Sequence, residues 1–361
     1  MATMSGPLPQ GATAPLGRAA GTARQELHVA PSADTSHDTT RDISHDTTHD
    51  TTRDTSHDIS HTRRTLLAVA VCATASQTTF SQATGPTRMN TRPIPSTQEA
   101  LPVIGCGTYV GFDQLPGSAG YAQLLAVVDA LFVAGGSVLD SSPMYGRAEA
   151  TTGEILASEG RRSKAFVATK VWTQGRIEGV RQMQESMRLL RTERIDLMQI
   201  HNLVDWQVHL ATLRQWKEQG LVRYIGVTHY TASAYPQLET VLRAQQLDFL
   251  QVNYSMDARE AAQRLLPLAA ERGVAVIVNM PFGGGGLLRR LIDRPLPVWA
   301  ADIECSSWAQ VLLKFVLSHP AVTCVIPGTR RSEHMADNAR AGVGAVPDQK
   351  FWLDKSVTLG A

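Results

Sequence analysis

Cysteine is scarce in this chain, and what there is excludes two classes of protein. The four residues, Cys72, Cys106, Cys305 and Cys324, include no CxxC pair and no spacing that suits a metal, so neither a disulfide framework nor a thiolate metal centre is expected. Three of them read as small buried hydrophobes, and Cys72 falls in a leader-like stretch. A surplus of one charge is missing too. The formal net charge is +1, and the Lys and Arg residues are scattered rather than gathered into stripes, which leaves nucleic acid no electrostatic footing. No GxGxxG follows an early strand-length run, which argues against an open, doubly wound dinucleotide-binding sheet.

The first part of the chain lacks a sustained apolar period. Residues 1–61 are rich in Thr, Ser, Ala, Asp and His and are expected as a disordered low-complexity arm, because a segment that buries little apolar area cannot offset its conformational entropy. Between Ser36 and Ser60, His-Asp-Thr/Ser units recur; ligands so loosely held rarely make a defined metal site, and the tract reads as low complexity. Residues 62–75 differ. There Arg63 and Arg64 precede an apolar or small run from Leu66 to Ala73, and Ala73-Thr74-Ala75 has the small-x-small form of a signal-peptidase site. The TRRTLL core resembles a twin-arginine leader, with Thr62 where Ser is usual and Ala68 where Lys is usual. The resemblance implies the twin-arginine export machinery as a partner and a periplasmic or otherwise exported product that begins near Ser76; without export the protein would stay cytoplasmic. The run falls short of the ~20 residues that a bilayer crossing takes, so no permanent membrane anchor is expected. A linker is expected over 76–98, a globular domain over 99–345 and a C-terminal tail over 346–361.

Within the globular part, short apolar runs alternate with longer amphipathic ones. LPVIGCG, GSVLD, AFVATK, IDLMQIH, RYIGVTH, FLQVNY, VAVIVN and TCVIPG are strand-length and aliphatic or β-branched, whereas segments such as YAQLLAVVDALFVAG and WQVHLATLRQWKEQG are helix-length. Strands alternating with helices give a parallel sheet, and a count of eight favours closure into a (β/α)8 TIM barrel.

In such a barrel the chemistry sits at the C-terminal ends of the strands. Asp140, Lys170 and His201 end three successive runs, and Gln251 and Asn253 lie on a later one. Each has a plain reading alone: Asp140 as a helix cap, Lys170 as a surface charge, His201 as a satisfied core histidine. Three ionisable groups at three successive strand ends point instead to a shared site. The stretch LDSSPMYGRAE adds Tyr145, five residues past Asp140, and places the two in reach of one pocket.

These segments carry a resemblance. GCGTY (105–109), LDSSPMYGRAE (139–149), VATK (167–170), RIDLMQIH (194–201), KEQGLVRYIGVTHY (217–230), QVNYS (251–255) and VIPGTRRSEHMADN (325–338) occur in the order and spacing of the aldo-keto reductase superfamily, which the chain resembles from about Leu101 to Gly342. The resemblance implies a (β/α)8 barrel, NAD(P)H-dependent reduction of a small-molecule carbonyl substrate, and a catalytic set of Asp140, Tyr145, Lys170 and His201. In the mechanism it implies, Tyr145 protonates the carbonyl oxygen as hydride arrives. Lys170 brings the phenol below the free pKa of about 10, Asp140 keeps Lys170 charged, and His201 orients the substrate oxygen. The five-residue gap lets the carboxylate stay at the strand end while the loop carries Tyr145 over the mouth.

Toward the cofactor the resemblance is less regular. Gly107, Thr108, Gln251 and the glycine loop from Gly283 are compatible with a carboxamide contact and passage of the pyrophosphate. Thr228 and His229 stand where the family usually has Ser-Asn, and Asn279 where many members place a Tyr that stacks on the nicotinamide. The lost stack is expected to weaken cofactor binding by about 1 kcal/mol or more. At the adenosine end Gly328-Thr329 and His334 replace the family's Lys-Ser and Arg, Arg330 and Arg331 lie between them, and Asn338 matches its adenine-binding Asn. Two arginines beside a helix start favour a 2'-phosphate, so NADP(H) is expected over NAD(H).

Two other readings compete. A metal-dependent barrel hydrolase would need a second strand-end His or paired carboxylates, and Lys170 would repel its cation; no metal is expected. A nucleotide-binding sensor or regulatory barrel with negligible turnover would suit the altered cofactor positions, though not a complete tetrad. Phe112, Trp172, Trp206 and Trp299 are candidate pocket liners, with core packing as the alternative for each.

Overall fold

In the computed structural model, which describes residues 88–109, 111–353 and 355, the expected strand-length runs pair side by side in chain order. A hairpin comes first, β1 (Thr91–Pro93) against β2 (Ala100–Pro102). Then β3 (Cys106–Gly107), β4 (Val138–Asp140), β5 (Phe166–Val171), β6 (Ile195–His201), β7 (Val222–His229), β8 (Phe249–Asn253), β9 (Ala275–Asn279) and β10 (Val322–Val325) form one parallel sheet in the order β10-β9-β8-β7-β6-β5-β4-β3. Parallel bridges Ile104↔Val325 and Gly107↔Gly328 join its two ends. This is the (β/α)8 barrel.

The helices are α1 (Ala119–Val133), α2 (Ala148–Ala157), α3 (Arg176–Leu189), α4 (Trp206–Glu218), α5 (Tyr235–Ala244), α6 (Leu265–Glu271), α7 (Gly286–Leu291), α8 (Trp308–Leu317), α9 (Ser332–Arg340) and α10 (Gln349–Leu353). Ser118 and Ser307 cap α1 and α8, accepting from Tyr121 N and Gln310 N and so satisfying donors that the first turn leaves open.

Strand periodicity sorts the side chains into two cores. Outward residues such as Val167, Val171, Met198, Ile200, Leu250, Val252, Val276 and Val278 pack in one cluster with helix residues such as Leu124, Leu131, Met183, Leu213 and Leu242. Inward residues form a second: Val138, Phe166, Ala168, Leu197, Tyr224, Phe249, Ala275, Ile277 and Cys324. Counting on by two along the same strands, the inward series becomes polar. It runs to Asp140, Lys170, Gln199 and His201, Thr228, Gln251 and Asn253, and Asn279. One end of the barrel is thus filled with hydrocarbon and aromatic rings, and the other is lined with groups that can do chemistry.

The apolar end is closed by the hairpin, which takes in residues expected as linker. Ile94 and Leu101 are buried in the inner cluster, a contribution of roughly 1.5–3 kcal/mol each. The Arg92 guanidinium donates to the carbonyls of Leu317 at 2.6 Å and His319 at 3.0 Å, and also to that of Val322. The difference has a simple cause: so few apolar residues in a polar stretch make no period that a sequence reading can detect. It also corrects the first expected barrel strand, since Leu101 belongs to the hairpin and the barrel strand is confined to Cys106–Gly107, with Ile104 adding a single bridge to Val325. In the expected tail, α10 packs through Trp352, which meets Trp299 and Phe315 edge-on. The low-complexity arm, the twin-arginine-like stretch and Cys72 lie outside the described residues.

Candidate active site

Asp140 and Lys170 meet at the polar end of the barrel. The fully buried Lys170 ammonium donates to Asp140 Oδ1 at 2.6 Å and to the Ser141 carbonyl at 2.6 Å. The other carboxylate oxygen, Asp140 Oδ2, accepts from Gln199 Nε2 at 3.1 Å and from Gln251 Nε2 at 2.8 Å. A buried ion pair is a poor source of stability, since desolvating two charges costs several kcal/mol. Such a pair is worth keeping for its charge. Burial alone would lower the Lys170 pKa, but the Asp140 carboxylate and Tyr145 outweigh it and the net shift is upward, so Lys170 stays a cation.

Tyr145 reaches this pair through a turn in which its N–H donates to the Ser142 carbonyl at 3.0 Å. Its ring centroid lies 5.0 Å from Lys170 Nζ, and Tyr109 meets the ring edge-on at 4.9 Å. The phenol's pKa is raised, which corrects the expectation that Lys170 brings it below the free value. Burial is the largest cause; Lys170 pulls downward, and the Asp140 carboxylate beside it counteracts part of that pull. Tyr145 is therefore a protonated donor near neutral pH. His201 stands 6.1 Å from the Tyr145 ring, nearly perpendicular to it, with Nδ1 3.2 Å from the Ser142 hydroxyl. Burial, then Lys170 and His229, push its pKa down to about 3, so the imidazole is neutral.

The turn that carries Tyr145 is braced by the segment after β3. Asp113 Oδ1 accepts from the Arg147 backbone N–H at 3.0 Å and from Arg147 Nη1 at 3.4 Å, and Thr151 Oγ1 donates to the Gln114 carbonyl at 2.9 Å. Between them Gly146 has φ 61°, and a Cβ there would stand 2.6 Å from the Asp113 carboxyl carbon. Only glycine serves both the conformation and the close approach.

The positions expected to face a cofactor divide into groups. Thr228 Oγ1 donates to Gln251 Oε1 at 3.2 Å, and Asn279 Nδ2 donates to the same oxygen at 3.4 Å, which links both to Asp140 through Gln251. Gly107 bridges Gly328, and Thr108 Oγ1 donates at 3.0 Å to the Asp140 carbonyl. His229 stands apart from that group, accepting from Thr231 N at 3.2 Å and stacking on Tyr230. Gly283 joins neither; its neighbour is the Asp257 carboxylate, 2.8 Å from where a Cβ would be. Thr329, Arg330, Arg331, Ser332, Glu333 and His334 line a cleft of about 760 Å³ with Gln123 and Ala126 of α1. Arg331 is paired with Glu333 at 2.6 Å, and Asn338 is buried one turn further along α9.

Of the aromatic candidates, Trp172 fits the mouth, exposed and 6.5 Å from the His201 ring. Phe112 is wholly buried, Trp206 packs on the outer core, and Trp299 belongs to the cluster with Phe351 and Trp352. Sequence reasoning missed Ser142, Gln199 and Asp113, and it used Tyr109 only as part of a motif. The inward parity of Gln199 on β6 was a usable signal; Ser142 and Asp113 act across loops and offered none. Among the described residues no group of three or more His, Cys, Asp or Glu is placed to hold a metal ion.

Comparison with known proteins matches this geometry to a family. Residues 103–352 match the model of the Aldo/keto reductase family. Methylglyoxal reductase YeaE of Escherichia coli (strain K12) is 29% identical over 248 residues, covering 66% of this chain and 85% of that protein. Methylglyoxal reductase DkgB of Salmonella typhimurium is 25% identical over 250 residues, covering 67% and 87%. Among solved structures, an aldo-keto reductase from Klebsiella pneumoniae in complex with NADPH superposes with a TM-score of 0.64 at 25% identity, covering 75% of this chain and 95% of that one.

Proposed function

Because the chain belongs to the aldo/keto reductase family, we propose that it reduces an aldehyde or ketone to an alcohol, with Tyr145 as the general acid. The observation that carries the reading is the fully hydrogen-bonded Asp140–Lys170 pair beneath a protonated phenol and a neutral imidazole. A reduced nicotinamide, when bound, supplies the hydride to the carbonyl carbon. Tyr145 gives its proton to the carbonyl oxygen, and the phenolate left behind is stabilised by the Lys170 cation 5.0 Å from the ring centroid. In the tautomer with its proton on Nε2, His201 accepts from the Ser142 hydroxyl at Nδ1 and can hold the substrate oxygen at Nε2.

The residues present fit a dinucleotide. The barrel mouth offers a buried acceptor without a partner on Asn279, and the cleft by α9 offers Arg330 and His334 for an adenosine phosphate. We read the cofactor as NADP(H), on Arg330 more than on Arg331, because Glu333 already neutralises the latter. The relatives named methylglyoxal reductase make a small 2-oxoaldehyde the first substrate to try.

The test is absorbance loss of NADPH with a panel of aldehydes, for the protein and for Tyr145→Phe. Turnover should fall about 100-fold or more in the variant while NADPH still binds. A wild-type protein that binds nucleotide without turning over any carbonyl would favour the sensor reading instead, and a variant as fast as wild type would remove Tyr145 from its role.

A further inference from the structure

The hydrogen bonds around Gln251 fix the direction of every amide in the chain of contacts that leads to Asn279. Asp140, ionised against Lys170, can only accept, so Gln251 must turn its Nε2 toward Oδ2, as the 2.8 Å contact shows. Its Oε1 then faces Thr228 Oγ1 and Asn279, and both must donate to it. Asn279 is thereby obliged to spend its NH2 on Gln251. Its Oδ1 is left buried with no partner. Turning the amide over would set two oxygens against each other.

Among the described residues, three buried amide oxygens near the mouth are unpartnered, those of Gln199, Asn202 and Asn279. Gln199 is wholly buried and out of a ligand's reach, and no contact fixes the amide of Asn202. Asn279 alone is both locked in direction and part-exposed. In the segment after it, Gly283, Gly284 and Gly285 have φ 57°, 62° and 85°, a backbone that lacks side chains to obstruct an approach. Gln251 Oε1, by contrast, already accepts two hydrogen bonds, and the side chains of Gln251 and Thr228 are nearly inaccessible.

We infer that Asn279 Oδ1 accepts a hydrogen bond from the carboxamide N–H of the nicotinamide ring, replacing aromatic stacking with a directional contact and taking over a role expected of Gln251. The inference rests on the reductase reading. An unmade bond to a buried acceptor is costly, so a donor that completes it gains more than an ordinary surface contact would.

The test measures equilibrium binding to the full chain by quenching of tryptophan fluorescence, with three probes. They are NADP+, its 3-acetylpyridine analogue, which has a methyl group where the carboxamide has NH2, and 2'-phospho-ADP-ribose, which has no nicotinamide. Wild type should bind NADP+ about fivefold or more tightly than the analogue. In Asn279→Leu the ratio should fall to near one, with affinity for 2'-phospho-ADP-ribose unchanged; Asn279→Ala serves if the leucine variant does not fold. A wild type that does not discriminate between the two nucleotides, or a variant that keeps the ratio, overturns the inference and leaves the reductase reading standing. A wild type that binds none of the three overturns both.

Discussion

At the scale of the residue, the site is a contest between burial and charge. Lys170→Met removes the cation paired with Asp140 and leaves a carboxylate bonded to two amides, with no other ion-pair partner among the described residues. Breaking a buried pair in this way costs roughly 3–5 kcal/mol, and the phenolate of Tyr145 loses its stabiliser as well. A melting curve beside wild type should show the drop, with turnover lost in the same variant; an unchanged midpoint would mean that the pair contributes nothing. His201 gives a pH signature. Its pKa is depressed to about 3 from the ordinary 6.5, so the unfolded chain binds the proton first. Its contribution to stability is complete above pH 6.5 and is lost as pH falls from there toward 3, by an amount on the order of a few kcal/mol. In urea titrations from pH 7 to 4, wild type should lose stability relative to His201→Gln as the pH drops; a difference that does not change with pH would mean that His201 is not depressed. Asp140, Lys170 and His201 were legible because a strand has period two and a barrel puts its chemistry at strand ends. The direction of the Tyr145 shift was not, since its sign depends on how much burial opposes Lys170.

At the scale of the element, the loop bearing Tyr145 is placed by its neighbour as much as by its own strand. Asp113 holds the backbone N–H of Arg147, two residues past the phenol. Asp113→Ala should reduce kcat by about 10-fold, with much less effect on nucleotide affinity, because a small misplacement of a proton donor is costly. Asp113→Asn keeps an acceptor for that N–H and should restore most of the rate, whereas Arg147→Ala, which spares the backbone bond, should change little. Equal losses of kcat in all three would point to general loosening of the fold rather than to this contact. The alternation of strands and helices was readable from hydrophobic period, but the bracing loop was not. Asp113 and Arg147 lie 34 residues apart in sequence, and nothing local marks either as the other's partner.

At the scale of the whole molecule, the leader-like stretch and the barrel bear on each other. We propose that TRRTLL directs export by the twin-arginine route, which carries folded proteins and so could deliver a barrel with its nucleotide already bound. Replacing Arg63 and Arg64 together by Lys should leave the protein uncleaved and active in the cytoplasm, while wild type is recovered shortened in the periplasmic fraction. Wild type found only in the cytoplasm at full length would remove the export proposal and leave the reductase proposal untouched.

The closing bridges of the barrel also set a timetable for synthesis. Ile104 and Gly107 near the start of the ring wait for Val325 and Gly328 near its end, and Arg92 waits for carbonyls between Leu317 and Val322. Until the last strand has left the ribosome, a nascent chain has two unpaired sheet edges, on β3 and β9, and a hairpin without its anchor. A chain truncated before β10 should therefore be a target for chaperones and proteases rather than a smaller working enzyme.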